Sequence, residues 1–134
     1  MGKEKKEKEG APLECGVMRE NKLGELEYKG HDNKVYRFKP PSRPSLVQDL
    51  FKAAVANQSR AAAACIGLSA ITSRPKVDYQ QVQCQTLIYG GLVFDELIER
   101  GWNPADIELV GNILFSKVQD VYIALYPSRD EVGA

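Results

Sequence analysis

Only four side chains in the 134-residue sequence are of the types that act as thiol or imidazole nucleophiles or as soft-metal ligands: Cys15, Cys65, Cys84 and His31. A structural zinc site needs four such ligands at close spacing, and no CxxC pair occurs, so none is expected. A Cys–His nucleophilic pair would need His31 beside a thiol. His31 sits in the turn-forming run Gly30-His31-Asp32-Asn33, while Cys65 and Cys84 lie in apolar helical stretches and read as small core residues. Paired carboxylates could serve acid–base chemistry, but Asp95-Glu96 reads as a solvated helix face. Asp106 and Glu108 read as a helix start, where the dipole favours negative charge. No phosphate-cradling GxxxxGKS loop, GxGxxG turn, HExxH or GxSxG elbow is present. The expectation is a protein that is not an enzyme and uses no metal or cofactor.

Binding chemistry has one conspicuous candidate. Lys29, Lys34, Arg37, Lys39 and Arg43 interleave with Tyr28, Tyr36 and Phe38, as in platforms that stack single-stranded nucleic acid. The alternation also places the aromatics on one face of a hairpin and the charges on the other, which is a core face and a wet face. Eighteen basic residues cancel eighteen acidic ones, which argues against general nucleic-acid or membrane-surface binding. The charge is nonetheless polarised. Residues 1–75 carry a net of +5 and residues 76–134 a net of −5, an asymmetry that suits head-to-tail self-association as well as two solvated faces. A small nucleic-acid-binding or regulatory protein using the basic hairpin 28–43 is the alternative function.

The elements that must position these residues centre on the break Gly101-Trp102-Asn103-Pro104. Gly101 suits the left-handed end of one helix, and Asn103 with Pro104 suits the start of the next. Ile107, Val110, Leu114, Val118, Val121 and Leu125 then recur at three or four, one helical stripe over 103–125. Before the break, Asp78 with Gln81 opens a helix over 78–100. Its face is Leu87, Gly90, Gly91, Phe94, Leu97 and Ile98, with Asp95, Glu96 and Glu99 outward, and the two helices form an antiparallel hairpin. Tyr89-Gly90-Gly91 marks either a close helix contact or a kink where a ligand meets the backbone. Upstream, Ser45 with Gln48 reads as a capping box for a helix over 45–58, and Ser59 as the cap of a helix over 60–70. Whether 45–70 is one bent helix or two stays open. Ala61–Ala64 with Gly67 makes the second of these the small-residue helix that neighbours can approach closely. A β-hairpin over 24–39, joined by Pro40-Pro41-Ser42-Arg43-Pro44, packs its aromatic face on the helices.

The fold class is therefore α+β, mainly α: an N-terminal β-hairpin on a compact bundle of three to four helices. One globular domain spans 17–126, with a disordered charged tail over 1–16 and a frayed end over 127–134. No signal peptide or membrane span is read in the sequence, and a cytoplasmic setting is expected.

The layout of KVYRFKPPSRPSL followed by RAAAACIGLSAI, YGGLVFDELIERG and NPADIELVGNIL resembles the small tail assembly chaperones of long-tailed bacteriophages. The likeness covers about 23–125 in general layout and matches no diagnostic motif. It implies a cytoplasmic, non-enzymatic protein that binds the tape-measure protein during tail assembly and self-associates. The function expected is a protein-interaction module taking a helical segment or another copy of the chain, with a homo-oligomer open and nucleic acid and membrane not expected. The expected contact residues are Trp102, Leu109, Phe115, Val93 and Phe94. Trp102, the sole tryptophan, reads either as a plug closing the end of the core or as an exposed anchor.

Overall fold

The computed structural model describes residues 13–125, so the expected behaviour of residues 1–12 and of 126–134 lies outside the described residues. The chain forms a three-stranded antiparallel sheet followed by four helices, the α+β, mainly helical class expected from the sequence.

The sheet contains the expected hairpin and one strand more. Strands β1 (Met18–Glu20), β2 (Leu26–Lys29) and β3 (Val35–Phe38) lie in sequence order. Tyr28 faces Tyr36 and Leu26 faces Phe38, so the alternating side chains bury all four on one face. The other face carries Arg19, Glu27 and Arg37 in register. Arg19 pairs with Glu27 at 3.0 Å, and Arg37 pairs with Glu25. The first strand was hidden because its three residues are too few to alternate. Its turn is set by Asn21, whose side chain accepts from the backbone N–H of Leu23 and Glu25, with Gly24 at φ +78°. Residues 13–16, assigned to the charged tail on composition, instead run along the sheet. Leu13 is buried, and the Gly16 N–H donates to the Lys29 carbonyl at 2.8 Å.

Helix α1 spans Pro44–Ala56 and α2 spans Gln58–Ser69, which settles the 45–70 stretch as two helices. Asn57 separates them in an extended conformation, and its side chain accepts from the Arg60 N–H. The Ser59 cap is thus replaced by Asn57. The Ser45–Gln48 box does not form either, because Pro44 itself begins α1 with its φ already set. A further correction falls on 78–100. Asp78 and Gln81 do form a capping box, but it caps only a 3-10 turn over Tyr79–Val82. Gln83 and Cys84 then adopt left-handed backbone, and helix α3 runs from Thr86 to Glu99. Cys84 is accordingly exposed rather than core. Helix α4, Pro104–Leu125, opens as expected: the Asp106 N–H donates to the Asn103 side chain at 2.8 Å, and the Asp106 carboxylate accepts from the Asn103 N–H.

Helix α2 is the centre of the bundle, with Ala61 through Gly67 all buried. Its small side chains let two neighbours approach at backbone distance. A Cβ added at Gly90 of α3 would stand 2.1 Å from the Arg60 carbonyl oxygen, and one at Gly111 of α4 would stand 2.6 Å from the Ala62 Cβ. Helices α3 and α4 pack against α2 and scarcely against each other, so the expected antiparallel hairpin is a pair split by the alanine helix. The buried face of α3 is correspondingly rotated to Thr86, Tyr89, Gly90, Val93, Glu96 and Leu97.

Candidate interaction site

The sheet docks on the bundle through Trp102. Its indole lies 5.0 Å from the Tyr28 ring and 5.1 Å edge-on from Tyr36, centroid to centroid. Gly30 provides the room, because a Cβ there would stand 3.2 Å from the indole nitrogen. With 2% of its surface exposed, Trp102 is the plug of the core and offers no face to a partner. Val93 is likewise fully buried, on the side of α3 that meets α2. The other expected contacts separate. Phe94 is half-buried on α3, and Phe115 is half-buried on α4 with its ring 5.2 Å from Phe51. Leu109 alone is well exposed, at 51%, on the outer side of α4. The five residues thus make no continuous strip.

The basic hairpin does not present a stacking platform either. Tyr28, Tyr36 and Phe38 are buried, and Arg37 is neutralised by Glu25. The Tyr36 hydroxyl donates to Asp32, and burial first, then that contact, raises its pKa. His31 at the hairpin tip approaches Asp106 at 3.4 Å rather than a thiol. Cys65 is sealed in α2, where burial pushes its thiol up to about 12. Among the described residues no three His, Cys, Asp or Glu side chains cluster around one point.

What the structure does assemble is a groove along the outer face of α3. Ile88, Leu92 and Phe94 line it with a cavity of about 530 Å³, and the start of α2 forms its far wall through Asn57, Ser59 and Arg60. Gly91 is the floor. The Arg60 guanidinium lies over this floor, with its carbon 3.6 Å from where a Gly91 Cβ would be. Asp95, one turn further along α3, supplies the opposite charge on the rim. Ile88 and Leu92 remain 46% and 40% exposed, adjacent on one face of α3. Phe94, an expected contact residue, does line the groove, whereas Ile88 and Leu92 were overlooked in the sequence. The i, i+4 pair Ile88–Leu92 was the available signal, being out of phase with the buried stripe Tyr89–Val93–Leu97.

Set against protein-family models, curated proteins and solved structures, the chain matches none of them. Among the described residues no helix is long and apolar enough to cross a membrane.

Proposed function

We propose that the protein is a non-enzymatic interaction module whose α3 groove takes an amphipathic helix, and that the first such helix is α3 of a second copy. One observation carries the reading: the groove holds its own complement. Arg60 lies over the Gly91 floor and Asp95 stands one turn further along α3, opposite charges beside the apolar Ile88 and Leu92. A two-fold axis midway between Gly91 and Asp95 would bring Arg60 of each copy to Asp95 of its partner, with Ile88 and Leu92 packed beside them. Such self-complementarity is what an isologous contact requires. Neither Arg60 nor Asp95 has an ion partner among the described residues. The layout resembling tail assembly chaperones belongs to the same proposal, with a helical stretch of a tape-measure protein as the heterologous occupant. The proposed setting is cytoplasmic, where three free thiols are stable.

Sedimentation velocity over a concentration series tests the proposal. The wild type is expected to show a monomer–dimer equilibrium that Leu92→Asp abolishes with the helical circular dichroism intact. Arg60→Glu should weaken it and the swap Arg60→Glu with Asp95→Arg should restore it. A wild type that stays monomeric, or a charge swap that leaves association lost, overturns the self-docking.

A further inference from the structure

A second cavity, remote in chemistry from the α3 groove, lies under the connector of residues 70–78 and measures about 490 Å³. That volume is in the range of small-molecule sites. The connector has no regular structure, yet it is held at both ends. Ile71 donates to the Arg37 carbonyl at 2.7 Å, and Thr72 accepts from the Arg37 N–H at 3.0 Å, tying it to β3. Further on, the Arg100 guanidinium donates to the carbonyls of Ser73 and Arg74, and Glu96 accepts from the Lys76 N–H at 2.7 Å. Arg100 and Glu96 also pair with each other. A loop clamped in this way is preorganised: its side chains are presented at fixed positions without further ordering.

Two of those side chains are cations that line the cavity. Arg74 and Lys76 are exposed, and neither side chain has a partner among the described residues. Two carboxylates lie near, Asp78 in the cavity lining itself and Glu96 close to Tyr89. Asp78 accepts from the Gln80 N–H as the cap of the 3-10 turn, and Glu96 is paired with Arg100. The inner wall holds an available hydrogen-bond donor. Tyr89 is only 3% exposed and lines the cavity, yet its hydroxyl makes no hydrogen bond to any described residue. Gly67 makes space for it, since a Cβ there would stand 2.6 Å from the hydroxyl oxygen. The hydroxyl opens onto the cavity with its donor free for whatever occupies it. Burial, with Asp78 and Glu96 nearby, pushes the Tyr89 pKa up to about 12, so the group stays a donor at neutral pH. Leu68, Pro75 and Val77 supply apolar surface between the hydroxyl and the cations.

We propose that this cavity binds a small organic anion, a compact apolar body bearing a phosphate or carboxylate that Arg74 and Lys76 hold at the mouth while the Tyr89 hydroxyl donates to an acceptor oxygen within. The site is independent of the α3 groove, and neither reading requires the other.

Titration of the full chain with phenyl phosphate and, separately, benzoate, followed by amide chemical shifts, tests it. Saturable shifts are expected at Gly67, Leu68, Lys76 and Val77 with either probe, and a preference between the two identifies the head group. Benzyl alcohol, the neutral control, should leave these signals in place. Arg74→Ala with Lys76→Ala should weaken binding about tenfold or more, and Tyr89→Phe about threefold to tenfold, with the remaining spectrum unchanged. Arg74 and Lys76 are exposed, so the double variant keeps the fold. Absence of saturable shifts with both anions, equal shifts with benzyl alcohol, or undiminished binding in the double variant overturns the proposal.

Discussion

Gly90 and Gly91 are chemically identical neighbours on α3, and their surroundings give them opposite mutational signs. A methyl at Gly90 would collide with the Arg60 backbone, which cannot swing aside, whereas at Gly91 it would meet only the Arg60 side chain at 3.6 Å. Gly90→Ala is therefore expected to destabilise by about 1–3 kcal/mol through overpacking. Gly91→Ala should stabilise the monomer by up to about 1 kcal/mol, the helix propensity of Ala over Gly. Urea denaturation at dilute concentration would check both. The Tyr89-Gly90-Gly91 run signalled a close helix contact in the sequence, but only the packing shows that Gly90 makes it. The cysteines divide in a similar way. Cys15 and Cys84 are exposed and should react quickly with a thiol reagent in the native state, while Cys65 should react only on unfolding. Native labelling of all three thiols would contradict this burial.

At the scale of elements, helix starts carry more of the structure than helix lengths do. Asn103 and Asp106 cap α4 reciprocally, so Asn103→Ala is expected to cost about 1 kcal/mol, readable as a lowered urea midpoint. That cap was legible in Asn103-Pro104, as was the stripe Ile107–Val118, because both depend on near neighbours in the chain. The break at Gln83–Cys84 was not legible. Left-handed backbone there involves neither Gly nor Pro, the residues that usually announce it. The pairing of α3 with α4 was misjudged for a different reason. Each helix finds a closer partner in α2, whose alanines permit backbone contact that a direct α3–α4 packing of larger side chains would not. Glu96 shows the same limit: it reads as a solvated face residue, yet it is buried to hold the 70–78 connector through Lys76 and Arg100.

For the whole molecule, the pH limits follow from which ionisable groups are held in one charge state. Glu25 has its pKa lowered from 4.5, chiefly by its contact with Arg37 and then by Asn21. Its stabilising contribution is therefore fully present above the unfolded value and is lost as pH falls through the folded one. Glu25→Gln should flatten the fall in stability below about 4.5, measured as urea midpoints across an acid series. At the other limit, Tyr28 and Tyr89 are raised from 10.0 to about 12, in both cases mainly by burial. Both contribute stability that is complete below pH 10 and disappears as pH rises through about 12, so cooperative alkaline unfolding is expected in that interval. Tyr89→Phe should shift its onset upward. Fold class was legible in the sequence at this scale because alternation and helical period are chain-local. The two cavities were not, because each is lined by residues from separate elements that only the tertiary packing brings together.

The wedge of Trp102 between Tyr28 and Tyr36 gives the molecule a built-in optical gauge. As the sole indole in the chain, it stands where the N-terminal sheet meets the helices. Its emission should be blue-shifted while the sheet is docked and should move to the red if the sheet lifts off with the bundle still helical. Comparing that colour change with far-ultraviolet ellipticity during denaturation would reveal whether the two layers separate in one step or in two.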